Sequence, residues 1–200
     1  MPKISEERKN ARREQVLAGA RRCFAEHGYE GATVARLEQE TGLSRGAIFN
    51  YFGSKEELFL ELAFRDNARL VRLWMEKGWE ATMREVVNED PDWIGVYLEM
   101  SRKIRTDPEF RRLHEERTQN ELAPRLVEHV REEQRLGLLR DDRPAEKVAG
   151  FISLVVNGVA TQMGSGEPIR DVDMLIEFVR SAVEPSERAE PASDASDAGP

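Results

Sequence analysis

The sequence predicts an all-α protein, and three observations predict it. Apolar residues recur at i, i+3 and i+4 through one segment after another. Capping residues, Gly and Pro separate those segments. No stretch alternates as a strand does: the β-branched run Leu154-Val155-Val156 lies inside an Ala-containing segment of helical length. With 200 residues, 40% apolar and 34% charged, the chain can bury a substantial core in one large domain or two small ones.

Met1 to Asn10 is a polar arm, frayed or partly helical, whose bases suit phosphate or minor-groove contact. Ala11 to His27 is the first clear helix, with Val16, Leu17, Ala20, Cys23 and Phe24 in one stripe. Gly28 ends it, and Tyr29-Glu30-Gly31 leads to Thr33. The next stretch, Thr33 to Phe52, organises the chain. Thr33 caps a short helix carrying Val34 and Leu37, and Gly42 stops it in a left-handed turn. Ser44 caps a second short helix with Ala47, Ile48 and Phe52 facing inward. Two short helices around a glycine turn describe a helix-turn-helix, whose second helix enters the major groove. The first helix should supply the apolar support that two short helices lack.

Ser54 with Glu57 reads as a capping box that starts a long helix at Lys55 and runs to about Lys77. Trp79 to Asn88 is a short helix. Pro91 opens another through Arg105, carrying Ile94, Tyr97, Leu98 and Ile104. Thr106-Asp107-Pro108 caps a segment over Glu109 to His114. A polar helix through Leu122, Leu126 and Val130 reaches Gly137, with Pro124 either kinking it or marking its start. Pro144 to Met163 is apolar nearly all round, including Phe151, Ile152, Val155, Val156 and Val159. Such a helix needs cover on both sides. With Gly150 and Gly158 permitting close approach, it should pair with the last helix and their symmetry mates as a four-helix dimer interface. Ile169 to Val183 closes the fold. Residues 184–200, rich in Pro, Ser, Ala and acid, read as a disordered tail.

The net charge of −8 argues at first against nucleic acid, but its distribution reverses the inference. Residues 1 to 25 carry seven basic against three acidic side chains, a local +4. A basic end on an acidic body suits DNA binding through one surface. The lone Cys23 allows no internal disulfide and reads as a plain buried thiol in a reducing cytoplasm. No apolar run is long enough to span a bilayer, and no secretory leader is evident. Enzyme motifs are missing: there is no GxSxG, HExxH, Walker loop or GxGxxG. His27, His114 and His129 lack a short ligand spacing, so no metal set is defined.

At Arg13 to Ala63 the chain resembles the TetR family of bacterial transcriptional regulators. The strings FAEHGYEGATV and GLSRGAIFNYFGSKEELF, at this spacing, carry the resemblance. It implies about nine helices: a DNA-binding domain over residues 1–53 and a ligand-binding and dimerisation domain over 54–183. It also implies a cytoplasmic, nucleoid-associated homodimer that represses transcription at operator DNA, without a catalytic role or a required cofactor. An effector in the second domain would swing the helix that begins at Lys55. The openings MPKISE and ARREQVLAGARRCFAEHGYE, with LEMSRKIRTDPEF in the middle, resemble the actinobacterial aconitase-repressor branch. That resemblance implies a tricarboxylic acid such as citrate, with Mg²⁺, as effector. The branch carries two histidines after the phenylalanine of its recognition helix, where this chain has Asn50 and Tyr51. Its operator therefore need not be the branch's.

The DNA contacts expected from these readings are Thr33, Arg36, Ser44, Arg45, Gly46, Asn50, Tyr51 and Lys55. Arg45, Asn50 and Tyr51 can donate to bases or phosphates, Gly46 permits close approach, and Thr33 and Lys55 sit at helix N-termini suited to phosphate. Polar residues on apolar helical segments are the ligand candidates: Arg102, Asn120, Arg125, His129, Asn157, Gln162 and Glu177. Arginine forks match carboxylates. Asn157 suits a hydrogen bond across a dimer interface at least as well, and Glu177 better suits an exposed surface carboxylate. A regulator with no small-molecule ligand, controlled by a protein partner or by abundance, is the alternative.

Overall fold

A computed structural model describes residues 6–117 and 121–185. They form ten helices and no strand: α1 (Glu6–Gly31), α2 (Val34–Thr41), α3 (Arg45–Phe52), α4 (Lys55–Lys77), α5 (Trp79–Val87), α6 (Pro91–Thr106), α7 (Pro108–Arg117), α8 (Ala123–Arg135), α9 (Ala145–Gly164) and α10 (Val172–Val183). The disordered tail expected over 184–200 lies outside the described residues from 186 onward, as do Met1 to Ser5 of the basic arm.

Local chemistry fixes most boundaries. α1 extends N-terminally to Glu6, so much of the expected polar arm is helical. Gly28, at φ 67° and ψ 173°, breaks the helix where the sequence places its end. Thr33 Oγ1 accepts from Arg36 N–H, Ser44 Oγ from Ala47 N–H and Ser54 Oγ from Glu57 N–H. Gly42 is left-handed at φ 66° and returns its N–H to Glu38 O. Pro124 falls in the first turn of α8, so it starts that helix rather than kinking it. Asp107 Oδ1 accepts from Phe110 N–H, the cap expected there, and α7 runs past His114 to Arg117. One expectation moves. Asp171 caps Met174 N–H, so the last helix starts at Val172 and leaves Ile169 and Arg170 in the preceding loop.

Two larger cores sit at opposite ends. The first joins the α1 stripe to Leu37, Ile48 and Phe52, then continues without a gap into Leu58, Phe59 and Leu62 of α4, Trp93 of α6 and Phe110 of α7. The second gathers Trp74, Trp79, Val130, Ile152, Ile176 and Val183 from α4, α5, α8, α9 and α10. α4 contributes to both, so it is the rigid bar between them. Arg140 ties the α8–α9 turn to the end of α10, its N–H donating to Val183 O at 2.8 Å.

Candidate DNA interface and ligand cavity

On α3 the helical step of 100° turns Gly46 and Asn50 to solvent opposite the buried Ile48, while Arg45 is exposed at the first turn and Phe52 is buried at the last. A β-carbon on Gly46 meets nothing within 4 Å. Thr33, Arg36 and Ser44 are exposed beside them. Arg36 Nη1 donates to Gly31 O at 2.7 Å, which orients the guanidinium across the α1–α2 turn. Glu38 Oε1 accepts the Arg45 N–H at 2.6 Å and caps the recognition helix from α2. Tyr51 departs from its expected place: it is half-buried and packs on the first core, because its step around α3 carries it off the outer face.

Lys55 departs further. Its Nζ donates to Tyr29 O at 2.9 Å and lies 4.4 Å from the centroid of the Tyr29 ring. The ammonium expected on a phosphate is turned inward, because a buried aromatic ring and the Tyr29 backbone carbonyl stand within its reach. Lys103 of α6 flanks the same ring at 5.0 Å and donates to Glu56 Oε1 at 2.8 Å. That hydrogen bond holds the Glu56 carboxyl down at about 2, while burial and then Glu56 push the Tyr29 phenol well above its ordinary range.

The basic α1 is likewise partly engaged within the chain. Arg13 pairs with Glu61 at 2.6 Å, Arg22 with Glu40 at 3.3 Å and Arg21 with Asp66 at 2.6 Å. The local +4 therefore overstates the field offered to DNA. Cys23 is fully buried, and burial raises its thiol pKa, as befits an inert core thiol.

A cavity of about 520 Å³ lies against α4, α5, α6, α7, α8 and α9. Its lining is mainly aliphatic and aromatic, with Trp74, Trp93, Phe59 and Phe110 prominent. Asp66, Asn67, Arg69, Glu89, Ser101 and His114 add polar groups. Burial lowers the His114 pKa, so its imidazole is neutral near pH 7.

Of the ligand candidates chosen from sequence, Asn157 lines this cavity, although it is exposed on α9. Arg102 instead lines a separate groove of about 760 Å³ with His27, Tyr29 and Lys103. Arg125, Gln162 and Glu177 are exposed and line neither space. His129 is half-buried on α8 and lies 3.6 Å from Glu133, away from the cavity lining; burial raises that carboxyl's pKa. Asn120 lies outside the described residues. A helix in a strongly charged chain exposes most of its polar side chains, and polarity alone does not give the face. The missed signal was register: Asn67 falls in the stripe of Leu60, Ala63, Leu70 and Trp74, where a core-facing helix is apolar. Among the described residues no three His, Cys, Asp or Glu converge as a metal cage.

Comparison with known proteins agrees with this geometry. Residues 16–62 match the family described as bacterial regulatory proteins, tetR family. Residues 67–185 match the C-terminal domain of BetI-type transcriptional repressors. The chain is 40% identical over 185 residues to an HTH-type transcriptional repressor of Mycobacterium tuberculosis, covering 92% of this chain and 98% of that one. It is 42% identical over 177 residues to the repressor AcnR of Corynebacterium glutamicum, covering 86% and 92%. The structure of Salmonella enterica GusR shares the fold at a TM-score of 0.71 and 18% identity, covering 90% of this chain and 97% of that one. The two sequence relatives are transcriptional repressors rather than enzymes, and their likeness spans both cores. The chain belongs to the tetR family of bacterial regulatory proteins.

Proposed function

We propose that the chain is a cytoplasmic repressor that holds operator DNA as a homodimer and releases it when an organic acid enters the α4–α9 cavity. One observation carries the effector reading: α4 starts at Lys55, directly after the recognition helix, and lines the cavity from Phe59 to Trp74. A ligand that shifts this bar shifts the reader attached to its end. The two repressors of Mycobacterium tuberculosis and Corynebacterium glutamicum that the chain resembles support repression. The dimer reading rests on α9 and α10, where Phe151, Leu154, Met174 and Phe178 stay 41–69% exposed. An apolar face of that kind marks an interface. Gly150 and Gly158 on α9 leave open space beside it.

Citrate with Mg²⁺ is the effector to test first. Asp66 and Glu89 are already engaged by arginines, and no metal cage forms among the described residues. The residues present therefore do not fit a resident cation, and a cation would have to arrive chelated by the acid's own oxygens. In the test, an operator selected in vitro from random duplexes is titrated by fluorescence anisotropy with and without citrate and Mg²⁺. Release of DNA together with a raised melting temperature is the expected result. Unchanged affinity and unchanged melting would leave a regulator without this effector.

A further inference from the structure

Five charged side chains connect the cavity wall to the DNA-reading helices. Asp66 and Arg69 line the cavity from α4, and Glu89 lines it from the turn between α5 and α6. Arg21 reaches them from α1, behind that wall. Its Nη1 donates to Asp66 Oδ2 at 2.6 Å and its Nη2 to Glu89 Oε1 at 2.9 Å. Glu89 Oε2 accepts from Arg69 Nη2, and Arg69 Nη1 donates to Glu85 Oε1 at 2.5 Å. Trp93 Nε1 donates to the same Asp66 Oδ2 at 2.6 Å, and the Arg21 guanidinium lies 4.3 Å from the Trp93 ring centroid. The side chains of Asp66 and Glu89 are 18% and 21% exposed, so these pairs are better shielded than a surface ion pair.

The connections constrain how an acid enters. Arg69 is the one arginine or lysine among the described lining residues, and two carboxylates already hold it. An incoming carboxylate competes with them for that guanidinium. Asp66 is fixed in mid-helix by Arg21 and Trp93 together. Glu89 sits in a turn, where the backbone yields at lower cost. Loss of Glu89 removes one of the two carboxylates that Arg21 holds. Because Arg21 belongs to the helix supporting α2 and α3, the same exchange alters how the reader is held.

We propose that Glu89 and Arg21 form a relay in which an effector carboxylate displaces Glu89 from Arg69 and so loosens the Arg21 tether of the DNA-binding helices. The relay rests on the acid-effector reading above. Arg21 touches no ligand in this scheme and acts as a positioning residue.

The test uses the full chain, a selected operator duplex, citrate with Mg²⁺ as probe and tetramethylammonium as a cationic counter-probe. In the wild type, citrate weakens operator binding by about 10-fold, within the usual range of allosteric coupling. In Arg21→Gln, citrate still raises the melting temperature, but operator affinity shifts by less than about 3-fold, below that range. Arg21→Lys, which keeps the charge but lacks the fork, gives an intermediate shift. A ligand-free double-mutant cycle between Arg21 and Glu89, using Glu89→Gln and read as operator Kd, departs from additivity by about 5-fold. Circular dichroism first confirms that each variant is helical. If Arg21→Gln does not fold, Arg21→Lys with Glu89→Gln supplies the cycle. A full citrate response in the Arg21 variants, or an additive cycle, overturns the relay and leaves the effector reading standing. If citrate fails to stabilise the wild type, the effector reading falls and the carboxylate exchange falls with it. Stabilisation by tetramethylammonium instead assigns Asp66 and Glu89 to a cation and likewise overturns the exchange.

Discussion

Gly19 of α1 and Thr41 at the end of α2 meet through their backbones: a β-carbon on Gly19 would lie 2.8 Å from Thr41 Cα and 2.7 Å from Glu40 O. Gln15 Nε2 clamps the same junction, donating to Thr41 O at 2.8 Å. Backbone atoms cannot rotate away as a side chain can. Gly19→Ala should therefore wedge α1 from the helix-turn-helix and cost about 1–3 kcal/mol of stability in urea unfolding. Gly46→Ala, with open space around it, should not lower stability, since Ala favours helix over Gly by about 1 kcal/mol. Equal losses in the two variants would refute the contact.

Arg45 and Asn50 are the exposed donors of α3. Substituting either by Ala should weaken operator binding by about 1–3 kcal/mol, the worth of a bidentate base contact, and change non-specific binding less. Anisotropy titrations on operator and scrambled duplexes decide it. The same loss on both would reduce these residues to backbone contacts.

Lys55 separates two roles. With its ammonium on Tyr29 O and over the ring, Lys55→Met should lower the melting temperature while the salt dependence of DNA binding stays unchanged. A salt slope reduced by about one would mean instead that the side chain swings out to a phosphate.

Glu56 gives a pH prediction with a definite sign. Its carboxyl is held at about 2 against an ordinary 4.5, chiefly by the hydrogen bond from Lys103. A depressed carboxyl stabilises the fold fully above its unfolded pKa, and that contribution is lost as pH falls toward the folded value. Wild type should thus lose more stability than Glu56→Gln between pH 4.5 and about 2. Lys103→Met should bring the carboxyl back toward 4.5 in an NMR titration. Parallel acid-unfolding curves for wild type and Glu56→Gln would contradict the pairing.

Leu154 and Phe178 are 69% and 65% exposed in the single chain. Replacing both with Glu should give a folded monomer by light scattering, with operator affinity reduced by an order of magnitude or more, since each half-site then binds alone. Retained dimers would move the interface elsewhere.

Sequence determined what depends on neighbours a few residues apart. The caps at Thr33, Ser44, Ser54 and Asp107, the stop at Gly42 and the start at Pro124 follow from single side chains and fixed offsets. The inward stripe of α1 and the outward Gly46 and Asn50 follow from a period of 3.6 residues. Tertiary structure decided which distant polar groups meet. Arg21 and Asp66 are 45 residues apart in sequence and 2.6 Å apart in space. Lys55 turns to Tyr29 across 26 residues, away from the surface its helix position implied. Arg125 and Glu177 look like ligand groups in one dimension yet face solvent. Helix periodicity gives each side chain an angle about its own axis, but only packing says what stands at that angle. The reader was therefore legible in sequence, whereas the cavity, built from six helices, was not.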